Sequence, residues 1–201
     1  NELCRLLSEV GGNGVIVHSD ILLNYLKEKY SNLNFVSSTT KVIVDFNEFV
    51  DEVNQNDFKY VVIDFRLNKA FAELENLNQI QKDKVEFLCN ECCWIGCKDR
   101  KKCYETVSRQ NLGIDCADHV CKAPDSNEGY RFSKAMQNPS FISKNDIIQT
   151  YVPMGFSNFK IEGRDLGNAL LLEFILYYMV KPEYQIHVRE EMYLDTMLDL
   201  F

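Results

Sequence analysis

The chain has no apolar run long enough to span a bilayer. Its longest, Ala169 to Val180, is interrupted by Glu173 and falls short of the roughly 20 residues that a spanning helix needs. No basic segment followed by an apolar one stands at its start, so a secretory leader is not expected and the cytoplasm is the expected compartment. Positive charge is not in surplus either. Against 30 Asp and Glu there are 22 Lys and Arg, which leaves a net charge of −8. That balance argues against a broad phosphate-binding surface and leaves room for a local basic patch only. Proline (four) and glycine (nine) are sparse, while 46% of the residues are apolar. A disordered chain would have too few apolar residues to offset its chain entropy, so one folded domain spanning residues 1–201 is expected.

Catalytic motifs are missing as well. The three histidines, His18, His119 and His187, are scattered without a nucleophile beside them, which leaves a hydrolytic triad and a metalloprotease helix unsupported. The glycines of Gly11-Gly12-Asn13-Gly14 precede a strand instead of following it. They stand on the wrong side for the phosphate-cradling turn of an open-sheet nucleotide binder and read as a plain turn.

What the chain does have is an alternation of short β-branched or aromatic runs with amphipathic stretches. Gly14-Val15-Ile16-Val17 reads as a strand. Ile21 to Lys29 reads as a helix, with Ile21, Leu22, Tyr25 and Leu26 on one face and Asp20 as its N-cap. Asn34-Phe35-Val36 is the next strand, and Phe46 to Val53 the next helix, with Phe46, Phe49, Val50 and Val53 at helical spacing. Tyr60 to Phe65 is the clearest strand, followed by a helix over Phe71 to Ile80 and the strand Val85 to Leu88. Later come a short helix at Asn145 to Tyr151, the strand Asn158 to Glu162 and a helix from Asn168 to Met179. Strands alternating with helices predict βαβ units and a parallel sheet, in a doubly wound or a barrel arrangement. Residues 89–140 lose this periodicity and read as a long cysteine-rich insertion loop.

Polar residues follow each strand: His18 and Ser19, Ser37 to Thr40, Asp64 and Arg66, then Asn90 and Glu91. In barrels that rim carries the chemistry. Lys160, Glu162 and Arg164 alternate with Ile161, so all three project to one face. Glu162 and Arg164 are the candidate ligand-facing residues, with a self-satisfied salt-bridge network as the alternative.

Seven of the eight cysteines, Cys89, Cys92, Cys93, Cys97, Cys103, Cys116 and Cys121, fall within 33 positions. Reduced thiols so clustered in a cytosolic chain point to metal or cluster ligation. Cys93-x3-Cys97 and Cys116-x4-Cys121 lack the tight pairs of a zinc ribbon. Such loose spacings suit a four-iron, four-sulfur cluster, although thiolate softness alone leaves zinc open. His119 is a further candidate ligand.

Ser157-Asn158-Phe159-Lys160-Ile161-Glu162-Gly163-Arg164 resembles the "slKIEGR" hallmark of the collagenase-like peptidase family U-32. The likeness extends to Asp20-Ile21-Leu22-Leu23 with Tyr30 to Thr39, and to Arg109-x-Asn111-x-Gly113-x-Asp115-Cys116 through Cys121-Lys122. Ser143-Lys144-Asn145-Asp146-Ile147 is similar to the family's "s.kDl" turn, and Asn90-Glu91-x-Cys93-x3-Cys97-x2-Arg100 to the loop of a divergent branch. The resemblance implies an α/β fold of the (β/α) TIM-barrel type. It also implies Cys93, Cys97, Cys116 and Cys121 as ligands of a 4Fe-4S cluster, with Cys89 and Cys103 in reserve. Members are known as peptidases, and several take part in hydroxylation of RNA bases or ubiquinone. The implied substrate is thus a small molecule, a nucleobase or a peptide. A structural zinc site in a non-catalytic binding module and a metal-free collagenase-like peptidase are the alternatives. The family's first βα units have no counterpart here, and the chain begins Asn-Glu-Leu rather than Met. The expectation is therefore an incomplete barrel, from an excised, processed or longer chain, with open edges that favour an oligomer or a partner chain.

Overall fold

A computed structural model of the protein describes residues 2–163 and 166–197. Its centre is a five-stranded sheet of β1 (Gly14–Val17), β2 (Asn34–Ser37), β3 (Tyr60–Val62), β4 (Val85–Leu88) and β5 (Asn158–Lys160). Every neighbouring pair is parallel, and the strands lie in chain order from β1 to β5. The α/β class and the parallel sheet agree with the alternation in the sequence. The sheet never reverses direction of growth, so it has no topological switch point of the doubly wound kind. Among the described residues β1 and β5 are its two edges.

Strand alternation divides the two faces. Val17, Phe35, Val61, Ile63, Val85 and Phe87 point to one face and pack on helices. Those helices include α2 (Asp20–Lys29) and α3 (Phe46–Asn54), which follow a short α1 (Glu2–Glu9). Leu23 and Leu26 of α2 and Phe49 and Val53 of α3 are the buried helical partners. Phe87 stands edge-on to both Tyr151 and Phe156, with centroids 4.8 and 5.0 Å away. The opposite face carries Ile16, Val62, Leu88 and Lys160, which line a cavity.

Several local expectations need correcting. Ser19, not Asp20, caps α2: its hydroxyl accepts from the Leu22 N–H, and Asp20 is the first helical residue. The apolar face chosen by α2 is that of Leu23 and Leu26, leaving Ile21, Leu22 and Tyr25 exposed. The expected helix from Phe71 to Ile80 is two, α4 (Phe71–Glu75) and α5 (Gln79–Lys82). Asn78 separates them, because its side chain forms a capping box with Gln81 and restarts the helix. β3 stops at Val62, since Asp64 caps a 3-10 turn over Phe65–Leu67 by accepting from the Arg66 N–H.

The segment 89–140 is not all loop. It contains α6 (Arg100–Asn111) and α7 (Phe132–Gln137). The last elements are α8 (Lys144–Asp146) running into a π-turn, α9 (Asn168–Met179) and α10 (Gln185–Met197). A second apolar cluster, built on Ala135, Phe141 and Phe174 with Cys92, Tyr130 and Tyr177 against it, joins α7 to α9. No helix among the described residues is long and apolar enough to cross a membrane.

Candidate functional site

The carboxyl ends of the strands carry the buried polar groups. After β2, Ser37 donates its hydroxyl proton to Glu52 of α3, and Lys41 reaches the same carboxylate at 2.7 Å. The turn between them, Ser38-Thr39-Thr40, is a knot of hydroxyls. Ser38 and Thr40 oxygens stand 2.8 Å apart, and His18 Nδ1 lies 3.0 Å from Thr40 Oγ1. The next residue but one, Val42, is left-handed at φ 58°, a costly conformation for a β-branched side chain.

After β3, Asp64 is 2% exposed and takes both prongs of the Arg66 fork, at 2.7 and 2.9 Å. The third nitrogen of that guanidinium donates to the Cys97 carbonyl at 2.8 Å. The strand-end pair therefore anchors the cysteine segment directly. Asn68, wholly buried, donates to the carbonyls of Leu88 and Ser140 and so closes the gap between β3 and β4.

After β4, Asn90 ties the rim to β5. It donates to the Glu162 carbonyl at 3.0 Å and accepts from the Glu162 N–H at 2.7 Å, while the Tyr130 hydroxyl donates to the Asn90 carbonyl. Glu91 accepts from the Cys93 N–H at 2.8 Å and from Arg100 at 2.5 Å. Arg100 is 4% exposed, lies 4.5 Å from the Phe65 ring, and donates to the Tyr104 hydroxyl at 2.6 Å. Burial works against its charge, but Glu91, Tyr104 and Cys93 beside it hold its pKa above the ordinary arginine value. Its Nε and Nη1 are buried without an acceptor.

Between these groups lies a cavity of about 540 Å³. Ile16, Val62, Leu88 and Ile161 give it apolar walls, and Ser38 to Thr40, Tyr104, Lys160 and Glu162 supply the polar ones. Lys160 faces Glu86 at 3.6 Å. Tyr104 accepts from Arg100, so its own proton is available to a ligand; burial pushes its phenol up to about 12 and keeps that proton in place.

Of the expected pair Glu162 and Arg164, Glu162 lines the cavity beside Lys160, while Arg164 lies outside the described residues. Sequence reasoning missed Tyr104, Tyr130 and Asn68. Tyr104 sits on a helix whose one buried residue is Arg100, so no apolar stripe announced it.

The eight thiols are free. Among the described residues no three His, Cys, Asp or Glu side chains are disposed to hold a single metal ion. Burial pushes Cys92 and Cys93 up to about 12, with the Glu91 charge adding to both. Cys93 interacts electrostatically with Cys97, and Cys103 with Cys121 and Cys97. The Cys116 sulfur lies 3.9 Å from the Thr106 carbonyl. Thiols are the donor type that an iron–sulfur centre takes. The unmet Arg100 donors beside them suit a negatively charged one.

Fold and rim together define a parallel α/β protein whose strands follow chain order, with a mixed polar cavity and a thiol-rich segment at the strand carboxyl ends. No family model, curated protein or solved structure matches the chain.

Proposed function

We propose that the chain is a cytoplasmic domain of the (β/α)-barrel, U-32-like kind. In this reading its cysteine segment holds an iron–sulfur cluster beside a substrate cavity. The observation that carries the proposal is the linkage of the two sites through one buried arginine. Arg100 bonds Glu91 next to Cys93 on one side and the cavity residue Tyr104 on the other. The sheet supports the barrel part, since parallel strands in unbroken chain order form an arc of the kind barrels close.

When bound, such a cluster would supply electron transfer. The chain's own residues bind and orient. Arg66 fixes the Cys97 backbone, Glu91 fixes the Cys93 N–H, and Asn90 holds Glu162 at the rim. Inside the cavity, the hydroxyls of Ser38 to Thr40 and Tyr104 share the lining with one carboxylate, Glu162, and one ammonium, Lys160, over apolar walls. That suits a neutral organic group with both an acceptor and a donor, such as a nucleobase edge or a peptide amide. The edge position of β1 and the exposed apolar side chains Leu3 and Leu6 of α1 and Ile21 and Leu22 of α2 support a partner chain continuing the sheet there.

The experiment is anaerobic reconstitution with ferrous iron and sulfide, followed by metal and sulfide analysis. About four irons and four sulfides per chain are expected. A chain that takes up neither refutes the reading. One tightly held zinc per chain would favour a structural site instead, and peptide cleavage that survives chelation would favour a metal-free peptidase.

A further inference from the structure

Three hydroxyls follow β2 at the rim, and they are of two kinds. Ser38 and Thr40 belong to a hydrogen-bonded chain: His18 Nδ1 lies 3.0 Å from Thr40 Oγ1, which lies 2.8 Å from Ser38 Oγ. The chain starts at an exposed imidazole after β1 and ends on the cavity wall, which Ser38 and Thr40 both line. Thr39 lines the same wall, and its hydroxyl oxygen is buried with no hydrogen-bond partner among the described residues. A buried hydroxyl left unmet is costly, and a ligand in the cavity is what can meet it.

The backbone of this turn bears a cost of its own. Val42 closes it in the left-handed region, at φ 58° and ψ 50°, with its N–H on the Thr39 carbonyl at 3.0 Å. A β-branched residue stays there only where its surroundings fix it, and such outliers gather at ligand clamps.

Hydroxyl protons in such a chain point one way together. Ser38 Oγ already accepts from the Thr40 N–H at 3.2 Å. When His18 Nδ1 carries a proton it donates to Thr40, Thr40 donates to Ser38, and the Ser38 proton is left for the cavity. When Nδ1 is bare it accepts from Thr40, Thr40 accepts from Ser38, and Ser38 offers the cavity a lone pair.

We propose that the turn Ser38-Thr39-Thr40 reads the hydrogen-bonding edge of the ligand. His18 is a positioning residue that sets, through Thr40, whether Ser38 donates or accepts. This deepens the proposed function and rests on its reading of the cavity as a substrate site. The ligand chemistry that fits is a planar amide-type edge, with a donor and an acceptor side by side for two neighbouring hydroxyls.

The test uses the intact chain with benzamide as the probe. Its dissociation constant is measured by calorimetry, the histidine ring nitrogens are followed by NMR, and circular dichroism confirms folding. H18A and T39A are each expected to weaken benzamide about tenfold, as loss of one oriented hydrogen bond does. Because His18 acts through the chain, H18A should add nothing in a T40V or S38A background. The His18 Nδ1 signal should move when benzamide binds wild type or T40S and stay still when it binds T40V. Additive losses in the double variants, or an Nδ1 signal that ignores benzamide in the wild type, overturn the role of His18. A wild type that does not bind benzamide overturns the amide edge as the ligand class. Iron and sulfide are measured separately, so a chain that binds benzamide but takes up no cluster refutes the cluster and leaves this assignment standing.

Discussion

Replacing Glu91 by Gln tests the hub of the rim. The Glu91–Arg100 pair is buried, with side chains 8% and 4% exposed. Arg100 then keeps its charge with a weaker partner, while its Nε and Nη1 already lack acceptors. Removing one member of a buried ion pair costs about 3–5 kcal/mol, because the remaining charge stays desolvated. The Cys93 N–H, which Glu91 also accepts, keeps an amide oxygen in the variant and adds little. With a urea dependence of about 2 kcal/mol per M, the unfolding midpoint should fall by about 2 M, read by far-ultraviolet circular dichroism. The double variant E91Q/R100M removes the stranded charge and should recover most of that loss, as apolar replacement of a whole buried pair commonly does. A loss below about 1 kcal/mol in E91Q, or a double variant less stable than E91Q, would refute the view that this pair is desolvated and structurally required.

Asn90→Ala removes both side-chain bonds to the Glu162 backbone. It should cost about 1–3 kcal/mol through the stranded Glu162 amide, and hydrogen exchange at that amide should rise above wild type. The Tyr104 phenol is raised from 10 to about 12 by burial. A raised acid favours its protonated form in the fold, so its contribution is intact below pH 10 and drains away between about pH 10 and 12. Wild type should therefore lose stability in that window faster than Y104F, and equal alkaline slopes would show that the phenol is not buried as described.

The alternation of β-branched runs and amphipathic stretches made the parallel α/β class readable from the chain alone, because a strand buried on its helical face must repeat every second residue. The helix at 46–54 was readable because apolar spacing reports a buried stripe, and that at 168–179 because its residues are apolar almost throughout. α6 gave no such report. Its buried residue is an arginine, satisfied in part by a glutamate nine positions earlier and a tyrosine four positions later, and no periodic pattern encodes that. The preference of α2 for Leu23 over Ile21 likewise depended on where β1 and β2 lie beneath it.

Chain order placed Lys160 and Glu162 at the rim, but not through the expected alternation: β5 ends at Lys160, and Ile161 lines the same cavity as its two neighbours. Which thiols meet is another matter. Spacing along the chain gives their number and their reach, whereas the course of the segment that carries Cys116 and Cys121 is set by Lys122 on Asp99 and Gln110 on Asp118. Local pattern thus settled the parallel α/β class and the course of the first strands, though not α6, α7 or the break between α4 and α5. Only the folded chain, through contacts between residues distant in sequence, settled which buried charges stand together.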